Sequence, residues 1–129
     1  MAIGGKNAEF RFGATTFAAT DCLQGWDLAD AINDIVYQCN GYDKHAAGTR
    51  ALTFRTSLGL GSGDTTKITA FAPGTTGVFE GYPAGATTDF IKFASTKATA
   101  MVANVSAPIN GIIQVDIELA LDDIAVTSA

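Results

Sequence analysis

Charge is scarce in this sequence. Asp, Glu, Lys and Arg make up 16% of its 129 residues, little for a small domain that must keep its whole surface in water. Basic side chains are scarcer than acidic ones. The eight are scattered, at Lys6, Arg11, Lys44, Arg50, Arg55, Lys67, Lys92 and Lys97, and the formal net charge is −5. Gripping phosphate backbones takes clustered Lys and Arg, so the composition argues against a nucleic-acid clamp. An acidic protein meets DNA as a repelling wall. Histidine occurs once, as His45, in a polar stretch where it reads as a solvated side chain. Together with the two cysteines, Cys22 and Cys39, it leaves a metal site one ligand short and without zinc-like spacing. Both cysteines lie in apolar contexts, and no leader pattern opens the chain. They are expected as free, packed thiols in a protein made in the cytoplasm. No apolar run approaches the ~20 residues of a membrane helix, and there is no tandem repeat, low-complexity tract or linker.

Catalytic patterns are missing too. "GLGSGD" lacks the Lys-Ser/Thr of a phosphate loop and the full dinucleotide fingerprint, so Gly59, Gly61 and Gly63 are expected in a flexible turn. Asp116 and Glu118 sit on one strand, whereas glycosidase carboxylates flank a bond from opposite sides. Asp122 and Asp123 have no EF-hand spacing around them and read as a charged strand end. The chain is expected not to be an enzyme and to need no cofactor or metal.

What the sequence does have is 47% hydrophobic residues and abundant Gly, Ala and Thr. That is enough for one real core in about one domain. A surface poor in charge and rich in small residues suits a subunit that covers itself with neighbours.

The patterning is mostly β. "AEFRFGATTFAAT" reads as a hairpin, with Phe10 and Phe12 on one face and "GATT" as the turn. "DCLQGWDLADAINDIVYQCNGYD" is ambiguous. Leu28, Ala31, Ile32, Ile35 and Cys39 recur at helical spacing with Asp27 as a possible N-cap, while Trp26, Leu28, Ile32 and Val36 alternate as in a strand broken by Asp30 and Asp34. By pattern alone the helix is slightly favoured. "NGYDKHAAGT" reads as a polar loop. "RALTFRTSLGL" follows as a strand with Leu52, Phe54 and Leu58 inward and Thr53, Arg55 and Ser57 outward. "GSGDTTKITAFAPG" has room for one short helix capped by Asp64 or Thr65. "TTGVFEGYPAG" is a short strand ending in a turn, and "TTDFIKFASTKATAMVANVSAP" a long one bent near Ala94 and Ser95. "APING" turns into the last run, "NGIIQVDIELALDD". There Ile113, Val115, Ile117, Leu119 and Leu121 alternate with Gln114, Asp116 and Glu118, which predicts one buried face and one polar, acidic face. The sum is about seven strands and at most two helices, closing as a sandwich or barrel.

In this order the features resemble the major tail tube proteins of long-tailed bacteriophages, a family that includes the tail tubes of gene-transfer particles. "GGKNAEFRFGATTF" is similar to the family's opening strands. "INDIVYQCNGYDKHAAGTRALTFRTSL" is similar to its strand, Gly-Asp-type loop and next strand. "GVFEGYPAGATTDFIKFASTKATAMVANVSAPINGIIQVDIELAL" looks like its closing section, where a turn leads into two long strands. The resemblance implies an antiparallel β-sandwich or partial barrel with one short flanking helix. Its sheets would join between subunits into hexameric rings, and the rings would stack into a hollow conduit for the genome in a virion tail assembled in the host cytoplasm. It also implies a strand, not a helix, around Ile35 to Gln38. Within the loop, Asn40, Gly41, Tyr42, Asp43, Lys44, His45, Ala46, Ala47 and Gly48 would reach the neighbouring ring. Gln114, Asp116 and Glu118 are candidates for the lumen wall. Implied partners are further copies of the chain, with tape-measure, tail terminator and distal tail proteins. DNA would pass without specific binding, and no membrane is involved. The alternatives are another phage structural part, such as a capsid decoration protein or a tail terminator, and a small monomeric β-barrel binding module.

Overall fold

The computed structural model describes residues 8–18, 23–61, 63–85 and 90–128. It is mostly antiparallel β-sheet. The elements are β1 (Glu9–Phe12), β2 (Thr15–Phe17), β3 (Leu23–Cys39), β4 (Tyr42–Gly59), α1 (Thr66–Thr69), β5 (Thr76–Tyr82), β6 (Ile91–Ser106), β7 (Gln114–Leu121) and β8 (Ala125–Ser128). The strands run in the order β2-β1-β5-β6-β7-β4-β3, and β8 pairs with β6 beyond the end of β7. The end strands β2 and β3 do not pair, so the sheet curls into a partial barrel without closing.

The curl follows from where the large side chains point. Phe10 on β1 and Phe54 on β4 have three strands between them in the sheet, yet their ring centroids are 4.9 Å apart. Phe54 also meets Phe79 on β5 at 4.6 Å and Trp26 on β3 at 5.5 Å. Phe71, just after α1, packs against Phe10, Phe12 and Phe17 and closes one side. The expected alternation holds in the body. Val115, Ile117, Leu119 and Leu121 are buried, as are Leu52, Phe54 and Leu58. Ile113 departs from the expectation. It lies before β7 begins, its carbonyl accepts the Leu60 N–H at 2.8 Å, and its side chain is 47% exposed.

The ambiguous segment is a strand. β3 pairs with β4 from Leu23 to Cys39, so tertiary pairing overrides the helical spacing and Asp27 is a strand residue, not a cap. This is the strand that the resemblance implies around Ile35 to Gln38; pattern alone slightly favours a helix because Asp30 and Asp34 interrupt the alternation. They interrupt it because that end of β3 has no core beneath it, and each finds a cationic partner or histidine across the ladder instead. The expected loop at residues 40–48 is also corrected. Only Asn40 and Gly41 form the turn. Tyr42 opens β4, paired with Cys39, and Asp43, Lys44, His45, Ala46 and Ala47 pair with Gln38, Tyr37, Val36, Ile35 and Asp34. Asn40 and Gly41 both have positive φ, 52° and 81°, as a two-residue type I′ hairpin turn requires.

The bend in β6 lies one to three residues beyond the expected place. Ser95 and Ala98 face Phe79 and Gly77 across an irregularity, and a second falls at Met101 opposite β7. Asp123 fastens the first one. Its carboxylate accepts from the Thr96 N–H at 2.9 Å, the Ser95 hydroxyl at 2.9 Å and the Thr96 hydroxyl at 3.0 Å. These donors hold the Asp123 carboxyl below the usual carboxylate range, the backbone N–H contributing most. The residue expected as a charged strand end thus clamps the β7–β8 connection to β6. Helix α1 is one turn. Thr65 occupies its N-cap position without a side-chain cap, while Asp64 accepts from the Gly61 N–H and from Lys67 Nζ.

Candidate assembly surfaces

Beyond Leu52, the last buried residue of β4 towards its start, residues 42–51 and their β3 partners leave the body as a two-stranded ribbon. At about 3.3 Å per residue, ten residues project about 33 Å. The ribbon has two unlike faces. On the face that continues the polar side of the sheet, Ile35, Tyr37 and Cys39 lie beside Ala46, Lys44 and Tyr42. Tyr42 is 71% exposed, and Ile35 and Tyr37 are about half exposed. The other face holds exposed Ile32 and Val36 among the polar groups. His45 Nδ1 lies 2.9 Å from the Asp34 carboxylate, the Gln38 amide donates to Asp43, and Arg50 Nε donates to Asp30 at 2.7 Å. That guanidinium holds the Asp30 carboxyl below its ordinary range. Cys39, expected to be packed, is a free and exposed thiol; Cys22 lies outside the described residues.

The ribbon's register depends on Gly48. Two β4 residues oppose Asn33 between the Ile32–Arg50 and Asp34–Ala47 pairs, and a Cβ on Gly48 would lie 2.7 Å from the Asn33 carbonyl oxygen. Among the described residues β3 pairs with β4 alone, so its other edge is a free strand edge. Such an edge is normally covered or used.

The polar side of the body is built from four strands. Asp27 (β3), Arg55 (β4), Glu118 (β7) and Val102 (β6) form one row across it; Ser57, Asp116 and Asn104 form the next, and Gln114 with Ser106 the third. The structure thus brings Gln114, Asp116 and Glu118 onto one face. Arg55 Nε sits 3.5 Å from Glu118, while Asp116 accepts from the Ser57 hydroxyl at 2.6 Å and the Gln114 amide at 3.3 Å. Among the described residues no Lys or Arg pairs with Asp116 or Asp27. Asp27 was missed by sequence reasoning because helical spacing hid its parity. Read as a strand, it falls opposite the inward Trp26 and Leu28.

The solved structures most informative here share little sequence with this chain. The sheath/tube terminator of the PVC extracellular contractile injection system, in its extended state, matches at a TM-score of 0.72 and 12% identity, over 98% of this chain and 97% of that one. The virion of a native gene transfer agent contains a chain that matches at 0.70 and 12% identity, over 99% of both. The SPP1 tail tube matches at 0.74 and 13% identity, over 99% of this chain and 80% of that one. This is the tail-tube fold. No protein-family model matches the chain, and no curated protein sequence does.

Proposed function

We propose that the protein is a structural subunit of a bacteriophage or gene-transfer-particle tail tube, self-assembling into stacked hexameric rings that form a conduit for DNA. The observation that carries this reading is the ribbon of β3 and β4. A two-stranded hairpin is marginally stable by itself in water, and this one holds exposed Ile35, Tyr37 and Tyr42 clear of the core. A subunit that meets its neighbours through the ribbon and through the free edge of β3 covers both. In a ring, the polar face with Asp27, Asp116 and Glu118 turns to the lumen, and tape-measure, terminator and distal tail proteins meet the tube's ends. A tube terminator is the second reading, favoured by the likeness to a sheath/tube terminator.

The test is electron microscopy of the purified protein at rising concentration, beside a variant with the ribbon shortened evenly. Removing residues 35–38 and 43–46 takes four residues from each strand and keeps the turn and the alternation. The full-length chain is expected to form hollow filaments with a regular axial repeat, and the shortened one folded subunits or single rings. A full-length chain that stays monomeric at every concentration overturns the reading. Single rings that never stack support the terminator instead.

A further inference from the structure

The molecule has a second exposed apolar protrusion, and it lies at the opposite end of the sheet from the ribbon's tip. β4 runs from Tyr42 at the tip to Gly59, and Gly59 pairs with Gln114, the first residue of antiparallel β7. The turn between β6 and β7, residues 107–113, therefore sits at the far end. Leu60 ties it there through the hydrogen bond to Ile113. Ile109 at its tip is 99% exposed and Ile112 is 66% exposed, with Ile113 and Val105 each about half exposed beside them. Residues 105–115 carry no charged side chain. So large a cluster of isoleucine and valine costs hydration free energy on a free surface and marks a contact. Nothing in the proposed wall or in the ribbon accounts for it.

We infer that this turn is the acceptor for the ribbon of another copy. The apolar ribbon face bearing Ile35, Tyr37 and Tyr42 packs on Ile109, Ile112 and Val105 of a subunit in the next ring. The inference rests on the tube reading and names the surface the ribbon meets. Three features select a second copy over another partner. Both patches are apolar and both sit on every chain. They point in opposite directions along β4, so copies oriented alike present turn to ribbon. The two patches are different surfaces, so the contact is head-to-tail and propagates instead of closing into a pair. The ribbon's acids and His45 lie on its other face, so Lys44, opposite Tyr37, is the one charged side chain beside this contact, and its long stem lets the ammonium stay at the rim.

Cysteine trapping tests it, in a Cys22→Ser background throughout so that the native Cys39 is the parent's single thiol. Ile109→Cys is oxidised in assembled filaments, alone and combined with Ile35→Cys or Tyr37→Cys in a Cys39→Ser background. The expected result is a ladder of covalent oligomers extending past the dimer in at least one of these, and none in Ile109→Cys with Cys39→Ser. Covalent species that stop at dimers, formed by the parent through Cys39 alone, mean ribbons meeting tip to tip and overturn the inference. So do filaments that form normally and yield no ladder in any combination. As a second measurement, Ile109→Asp with Ile112→Asp is expected to leave folded subunits that do not stack. Normal filaments from this variant overturn the acceptor assignment alone, whereas a parent chain that never forms filaments overturns the tube reading itself.

Discussion

The two halves of β4 obey different rules. From Leu52 to Leu58, alternate side chains are buried against a cluster of aromatic rings, and the strand is held on both sides by β3 and β7. From Tyr42 to Ala51 the same strand has one neighbour among the described residues, no core beneath it and no buried side chain. The first half is stabilised by burial within the subunit. The second is specified by turn geometry, a glycine and cross-strand pairs, and its apolar side chains gain burial only against another molecule. One strand thus serves folding at one end and assembly at the other, and changes at the two ends should be felt in different experiments.

The largest expected effect is at the body end. Phe54→Ala removes a ring fully buried among Phe10, Trp26 and Phe79. Truncations of this kind cost about 3–5 kcal/mol, a large share of the roughly 5–15 kcal/mol that holds a domain folded. Denaturant titration of the unassembled subunit should show a midpoint far below that of the parent. A loss under about 1 kcal/mol would mean that the ribbon and the body share their stability and that the division fails.

Gly48→Ala should do the reverse. The added methyl's tightest contact is a backbone oxygen, which cannot swing away, with Asn33 Cβ and Ile35 Cγ1 also close. The strain, about 1–3 kcal/mol by analogy with overpacked sites, falls where no core absorbs it. Hydrogen exchange should quicken across residues 32–50 while the amides of β5, β6 and β7 keep their protection. Equal loss of protection in both halves would break the comparison.

A smaller effect is expected at Asp123, which belongs to the body but acts on one bulge. Its carboxyl is held below the unfolded value of about 3.9, so its contribution is complete above that pH and is lost as pH falls through the lowered folded value. Asp30 and Asp64 shift the same way, through Arg50 and through the Gly61 N–H with Lys67. Asp123→Asn should therefore be less stable than the parent near neutral pH, and the gap should narrow on acidification below pH ~4. A gap that widens in acid would contradict the assigned clamp.

The body was legible in the sequence because burial writes period two into it. The run from Val115 to Leu121 and the inward set Leu52, Phe54 and Leu58 stand as read. In the ribbon that signal cancels, because apolar side chains stand on both faces, Ile32 and Val36 on one and Ile35 and Tyr37 on the other, and only the family resemblance implied the strand. The ribbon's one strong signal is the Asn40-Gly41 pair, the preferred dipeptide of a type I′ turn, and the polar residues that follow it point instead to a loop. Cys39 and Ile113 went wrong for a related reason. Apolar neighbours in sequence imply burial in the subunit only when the segment lies over its core, and both sit where the chain leaves it.

The smallest expected effect on folding is at the polar face of the body, where the consequence lies elsewhere. Asp116 and Glu118 are not equivalent. Glu118 already has Arg55 at 3.5 Å, whereas Asp116 is met only by neutral donors, Ser57 and Gln114. If this face lines a lumen, the unpaired charge comes mainly from Asp116 and Asp27, repeated around each ring. Asp116→Lys with Glu118→Lys should change subunit stability by about 0.5 kcal/mol or less if the face is solvated, although Arg55 then faces a like charge. The wall would become a positive band that holds phosphates and releases counterions. In particles carrying these tubes, DNA ejection is expected to slow, and added salt to restore part of the rate. Each single change shifts the face by the same amount of charge, but Glu118→Lys sets a second cation beside Arg55 and should give the larger slowing, while Lys at position 116 stands among neutral neighbours. Equal effects of the two single changes would mean that Arg55 does not stand beside Glu118 in the tube. Unchanged ejection by the double variant at low and high salt, with tubes intact, would place this face on the outside.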